Sequence, residues 1–89
     1  PSLDLAILAA IISSLKDKPL PDKAVFIGEV GLNGEIRPVP QLDQRINEAT
    51  KLGYDRIFVS GHAKTRQRNK VTKIKDVREL YNACLGDAH

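Results

Sequence analysis

The stretch that decides the fold is residues 28–39, which read Gly28-Glu29-Val30-Gly31-Leu32-Asn33-Gly34-Glu35-Ile36-Arg37-Pro38-Val39. Short apolar segments flank its centre at residues 24–27 and 35–39. An Asn-Gly pair between two such segments is typical of a β-hairpin, because its tight turn requires positive φ at one or both central positions. We therefore predict that residues 24–27 and 35–39 pair as a hairpin in which Gly34 has positive φ. Pro38 and Pro40 limit the second strand to an edge or to a short pairing.

Upstream of the hairpin the sequence predicts one helix. Apolar side chains between residues 5 and 15 would lie almost all round such a helix, which is typical of a buried one. Ser2 has the side chain of an N-cap, and Asp4 would then lie in the first turn, where a carboxylate is favourable. We expect the helix to end at residues 16–18, because Pro19 and Pro21 cannot continue it.

A second helix is predicted after Pro40. Its apolar residues recur at helical spacing, and they are Leu42, Ile46, Ala49 and Leu52. Gly53 follows at the position of a left-handed C-cap. The sequence therefore predicts an amphipathic helix, followed by a short buried strand at residues 56–60.

The last third of the chain is mostly polar. The sequence predicts a loop at residues 61–69 and a last strand at residues 70–74. Asp76 is placed to cap a final helix that runs through Leu85 and stops at Gly86. We expect an α/β fold in which helices cover one small mixed sheet. No internal repeat is visible.

Length and composition limit the classes of protein. Eighty-nine residues, 42% of them hydrophobic, suffice for a single domain, 1–89, and its apolar start suggests a fragment of a longer protein. Cys84 is the one cysteine, which excludes an intrachain disulfide and favours a reducing, cytoplasmic setting. The longest apolar run is far shorter than a membrane span, and no basic segment precedes it as in a signal peptide. We expect a soluble protein.

The positive charge is concentrated in one segment. The net charge is only +3, but residues 64–75 contain no acid and hold six cations, Lys64, Arg66, Arg68, Lys70, Lys73 and Lys75. Such asymmetry predicts contact with a polyanion. The alternative is a solvated face that binds nothing.

Residues 28–39 resemble the hairpin of Lon-type proteases, whose pattern is roughly T-G-E-(I/V)-x-L-x-G-x-(V/I)-x-P-(V/I). Both glycines, the acid, the leucine and the proline match at fixed spacing. Pro1-Ser2 falls where those enzymes carry G-P-S-A-G around the nucleophilic serine. Residues 42–45 fall where they read L-K-E-K, and the second lysine of that motif is the catalytic base. Arg45 stands at this position.

The Ser/Lys dyad of Lon enzymes is therefore degenerate in this chain. A lysine base works because partial desolvation lets it lose its proton near neutral pH, whereas arginine has a pKa above about 12 and stays charged. Asp4 replaces the glycine of the motif, and its carboxylate would repel a developing oxyanion. We predict no catalytic residues. Ser2 then serves as a helix cap and Arg45 as a surface partner of Asp43, Glu48 or a neighbouring acid.

Residues 44–49, together with 28–32, look like the RadA (Sms) branch of this fold, a family of bacterial DNA-repair ATPases whose protease-like domain comes last. The resemblance implies a Lon-protease-like, ribosomal protein S5 domain 2-like α+β domain whose N-terminal part is missing. It implies no cofactor in this fragment, but ATP, Mg²⁺ and Zn²⁺ in the parent. It further implies that the parent binds single-stranded or branched DNA, assembles as a hexameric ring and is able to contact a RecA-type recombinase. It covers Pro1 to Ser60, and the six cations lie beyond it.

Other residues fit functional sites less well. His62 and His89 lack a third metal ligand in the sequence. Glu29 and Glu35 flank the turn as a possible carboxylate pair, which a glycine-rich hairpin explains equally. The aromatic residues fit a core better than stacking platforms for bases, and they are Tyr54, Phe58 and Tyr81. Two rival hypotheses remain, a fragment of an ATP-dependent Lon-type serine peptidase and a purely structural oligomerisation domain.

Overall fold

The computed structural model describes residues 2–86. Within these residues, three helices and six strands follow one another. They are β1 (Leu3–Asp4), α1 (Leu5–Lys16), β2 (Ala24–Ile27), β3 (Glu29–Val30), β4 (Ile36–Arg37), α2 (Leu42–Lys51), β5 (Arg56–Ser60), β6 (Val71–Ile74) and α3 (Val77–Cys84). A single 3-10 turn, Arg68–Lys70, precedes β6. The α+β composition that the sequence predicts is confirmed.

The strands form two sheets, so the prediction of one mixed sheet is wrong. The first sheet is antiparallel with the order β1-β3-β4, and the second is parallel with the order β2-β5-β6. The second sheet has α2 between β2 and β5 and the 61–70 segment between β5 and β6. Parallel strands need such crossovers, because a tight hairpin turn joins only antiparallel strands.

The hairpin exists, but its first strand is not the predicted one. Gly34 N donates to Gly31 O at 3.0 Å, Gly31 N donates to Glu35 O at 2.9 Å, and Gly34 has φ +81° as predicted. The strand that pairs with β4 is β3, whereas β2 pairs in parallel with β5. Residues 24–27 are apolar throughout, which suits a strand covered on both faces better than a half-exposed hairpin strand.

The core has two layers, one on each face of the parallel sheet. Side chains of successive strand residues point to opposite faces. Phe26 and Phe58 stack on one face with ring centroids 5.0 Å apart, beneath α1 and α3. Ile27, Ile57 and Val59 lie on the other face with α2. Phe58 is therefore a core residue as predicted, whereas Tyr54 is 38% exposed and Tyr81 is half-buried.

The first helix differs from the prediction at its start and in its burial. Asp4, not Ser2, is the N-cap, and its carboxylate accepts from Ala6 N at 2.8 Å and from Ile7 N at 3.2 Å. Only Leu5 and Ala9 are buried. The three exposed large apolar side chains of α1 are Ile7, Ile11 and Leu15. A single sheet covers a single face of the helix, so the described residues leave the opposite face uncovered.

The second helix matches the prediction except at its end. Leu42, Ile46 and Ala49 are buried, and Gly53 has φ +95°. Leu52 is 77% exposed, which contradicts its predicted place on the apolar face. It is the C-cap residue, where the helical spacing no longer determines the direction of the side chain. Asp76 caps α3 as predicted, by accepting from Glu79 N at 2.9 Å.

Candidate nucleic-acid interface

Four of the six predicted cations line one cleft of about 470 Å³. Lys64 and Arg66 come from the loop after β5, Arg68 from the 3-10 turn and Lys73 from β6, and all four are exposed. The parallel pairing of β5 with β6 brings the two ends of this segment to one edge of the sheet. Such a group of cations is suited to binding phosphates.

The other two cations lie apart from this cleft. Lys70 lines a neighbouring cleft of about 280 Å³ together with Thr50 and Tyr54. Lys75 packs over Gly61, so closely that a Cβ on Gly61 would lie 2.8 Å from Lys75 Cγ. The structure therefore brings four of the six predicted cations together in one cleft and places Lys70 and Lys75 outside it.

The cleft also contains an acid that the sequence suggested only as a partner of Arg45. Asp43, in the first turn of α2, accepts a hydrogen bond from the Thr65 hydroxyl. Gln67 Nε2 donates to Asp43 O at 3.2 Å and to Oδ1 at 3.4 Å. The Thr65 hydrogen bond, helped by Gln67 and by the charge of Arg66, holds the pKa of the Asp43 carboxyl below its usual value. These residues are more than 20 positions apart, so no spacing in the sequence indicates the contact.

The two positions of the degenerate dyad lie in different cavities. Ser2 is exposed, its Oγ lies 3.4 Å from Glu29 Oε1, and it lines an apolar cavity of about 390 Å³ beside the hairpin. Arg45 lines another cleft, of about 270 Å³, together with Asp4 and Glu48. Within residues 2–86, Arg45 forms no ion pair with Asp43, Glu48 or another acid, so the predicted surface pairing is not present there.

The remaining candidates do not combine into a site. His62 is exposed, and its backbone N–H donates to Ser60 Oγ at 3.0 Å; His89 lies outside the described residues. Glu35 pairs with Arg37 at 2.6 Å, and this contact lowers the pKa of its carboxyl. Glu29 instead contacts Ser2, so the two carboxylates have separate partners.

Three further observations concern Cys84, metal-ligating side chains and the helices. Cys84 is half-buried, and burial raises the pKa of its thiol. No group of three His, Cys, Asp or Glu side chains in residues 2–86 is arranged to hold a metal ion. None of the helices in that range has the length and apolar character to cross a membrane.

Comparison with known proteins places the chain in a family. The family model described as subunit ChlI of Mg-chelatase matches residues 1–63. The DNA repair protein RadA of Streptococcus pneumoniae is 52% identical over 65 residues, which are 73% of this chain and 16% of that protein. RadA of Escherichia coli is 46% identical over 82 residues, 92% of this chain and 18% of that protein.

The similarity includes the basic segment. RadA of Listeria monocytogenes is 40% identical over 91 aligned positions, which cover 98% of this chain and 20% of that protein. The chain thus spans a fifth or less of the length of these relatives. The chain belongs to the RadA family of bacterial DNA repair proteins, and its residues 1–63 match the family described as subunit ChlI of Mg-chelatase.

Proposed function

We propose that this chain is the C-terminal part of a Lon-protease-like domain, of the ribosomal protein S5 domain 2-like class, in a RadA-type DNA-dependent ATPase. Its function is to contact DNA and to support ring assembly while the parent processes branched intermediates in repair and recombination. It contributes binding energy and cleaves no peptide bond. A cytoplasmic location, a hexameric ring and a RecA-type recombinase as partner complete the proposal.

ATP, Mg²⁺ and Zn²⁺ belong in this proposal to the rest of the parent. The chain has a single cysteine and no glycine-rich phosphate-binding sequence. Nor do residues 2–86 group three metal-ligating side chains. The residues present do not fit a nucleotide site or a zinc site, so neither group enters the function proposed for this chain.

The observation that supports DNA contact is the cleft of four cations, with Lys64, Arg66, Arg68 and Lys73 around about 470 Å³. Ammonium and guanidinium groups bind phosphate oxygens irrespective of base sequence. Each phosphate neutralised on duplex DNA adds about 0.9 to the slope of log affinity against log salt. Four contacts in one cleft therefore give a slope of at most about 3.6, which corresponds to weak binding by one copy. A ring presents the cleft several times and raises the avidity.

The test replaces Arg66 and Arg68 with alanine in the full-length protein and measures DNA affinity as a function of salt. We expect affinity for all sequences to fall and the slope to decrease by about 1.8, because two phosphate contacts are lost. Lys51 and Arg78, which are exposed and lie outside the cleft, provide a matched control with the same change in net charge. Equal effects of the two double variants would exclude a specific role of the cleft.

A purely structural role in oligomerisation is the second candidate, favoured by uncovered apolar side chains. Ile7, Ile11 and Leu15 lie along α1 at intervals of four residues, and Leu32 at the hairpin is 82% exposed. Exposed apolar surface of this kind is typical of contacts between protein chains. Replacing Ile7 and Ile11 with serine should dissociate the assembly and leave DNA binding by each copy intact. Loss of DNA contact without dissociation would contradict this role.

A further inference from the structure

The loop that carries Lys64 and Arg66 is fixed at two places. The first is next to β5, where Ala63 N donates to Ser60 O at 3.0 Å and the Ala63 side chain is buried. The second is at Asp43 on α2. Lys64 and Arg66 lie between and beside these attachments and remain exposed. The backbone on either side of both cations is therefore attached to the rest of the fold.

The attachment at Asp43 is a small network and not a single contact. Thr65 Oγ1 donates to Asp43 Oδ1 and also accepts from Gln67 N at 3.0 Å. Gln67 Nε2 in turn reaches the backbone carbonyl of Asp43 at 3.2 Å. All three side chains are half-buried. The network therefore joins the loop to the first turn of α2 through both side-chain and backbone atoms.

Asp43 is electrostatically unfavourable for a cleft that binds phosphates. Its carboxylate lines the same cleft as the four cations. A negative charge there repels a polyanion and offsets part of the attraction of the cations. If the cleft binds phosphates, Asp43 has to favour that binding in another way that offsets this repulsion.

We infer that Asp43 is a positioning residue for phosphate binding, which acts through Thr65 and Gln67 to hold Lys64 and Arg66 at the cleft before DNA arrives. The inference rests on the proposed contact with DNA. A segment that must be ordered on binding loses affinity, because its conformational freedom is lost at that step. Ordering it in advance through hydrogen bonds removes this loss. The inference requires this gain to exceed the repulsion by one carboxylate, and the sign of the Asp43→Ala effect measures the difference.

The first test uses Thr65, because its variants leave the net charge unchanged. Thr65→Val removes the hydroxyl and keeps the shape of the side chain, whereas Thr65→Ser keeps the hydroxyl. Binding of a fluorescent single strand and of a duplex is measured with the full-length protein, well below its unfolding temperature. We expect Thr65→Val to bind about twofold to tenfold more weakly than wild type, the range for ordering one long side chain on binding. Thr65→Ser should bind like wild type.

The second test uses the sign of the effect at Asp43. If charge alone mattered, Asp43→Ala would tighten DNA binding, because it removes an anion from the cleft. The positioning role predicts the opposite, weaker binding by Asp43→Ala. Glu48→Ala is the matched control, since it removes an exposed acid of the same helix that does not line this cleft. It should leave binding unchanged or tighten it slightly.

The outcomes separate this inference from the proposed function. If the wild type binds DNA and the Arg66/Arg68 variant weakens it, DNA contact stands. In that case, tighter binding by Asp43→Ala, or equal binding by Thr65→Val and Thr65→Ser, overturns the positioning role alone. If the wild type does not bind DNA in a salt-dependent way, the proposed function fails and this inference fails with it.

Discussion

Ser60 links the parallel sheet to the antiparallel sheet through its side chain. Its side chain is fully buried, its Oγ donates to Ile36 O at 2.7 Å, and it accepts from His62 N at 3.0 Å. Ile36 N completes the junction by donating to Lys75 O at 2.8 Å. A single hydroxyl thus satisfies one atom of the antiparallel sheet and one atom at the base of the basic loop.

Replacing Ser60 with alanine should lower the free energy of unfolding by about 1–3 kcal/mol, because a carbonyl and an amide lose their partner in or near the core. Chemical denaturation measures this change. Ser14→Ala is the control, since Ser14 lies exposed on α1 and its replacement should change stability by less than about 0.5 kcal/mol. Equal stability of the two variants would mean that the hydroxyl does not support the junction.

At the scale of elements, the hairpin depends on the backbone of Gly34. With φ at +81°, this position favours a residue without a Cβ atom. A Cβ built there would lie 3.9 Å from Val77 Cγ2, so space is available and the constraint is conformational. The turn also supports α3, because Val77 N donates to Gly34 O at 3.0 Å.

Gly34→Val should therefore destabilise the fold by about 1–2 kcal/mol, the cost of a left-handed conformation for a residue with a Cβ atom. Gly34→Asn should cost less, since asparagine tolerates this region. The comparison is made by denaturant unfolding of both variants. If valine and asparagine destabilise equally, backbone strain at Gly34 is not the reason for the glycine.

The element boundaries show where reasoning from sequence succeeds. The Asn33-Gly34 turn, the end of α1 before Pro19 and the Asp76 cap follow from local chemistry, and the structure confirms them. The pairing of β2 is not local. An apolar segment next to a turn can pair with the strand across that turn or with a strand far away in the chain. The burial of both faces of β2 in the fold selects the distant partner, β5.

At the scale of the whole molecule, Arg45 in place of the lysine base predicts that the chain hydrolyses no peptide or ester. The side chains of Ser2 and Arg45 line different cavities, and Asp4 occupies the N-terminus of α1 as its cap. Hydrolysis by wild type should equal that by Ser2→Ala at neutral pH.

Arg45→Lys tests the predicted lack of hydrolysis by restoring the lysine of the Lon-type motif. Lysine is able to act as a base when it is partly desolvated, whereas arginine is not. Because Arg45 is exposed and does not share a cavity with Ser2, we expect no gain of activity in this variant. Peptide cleavage by Arg45→Lys that disappears on adding Ser2→Ala would show that a protease geometry is retained.

The sequence by itself determined the local features of this protein and its family resemblance. Turns, caps and helical periodicity depend on residues within a few positions of each other, and the RadA-like motifs are patterns of the same kind. Tertiary structure alone decided the two sheets, the exposed side of α1, the division of the six cations and the contact of Asp43 with Thr65. The reason is that each of these depends on residues far apart in the chain, whose proximity results from the packing of the parallel sheet and its helices.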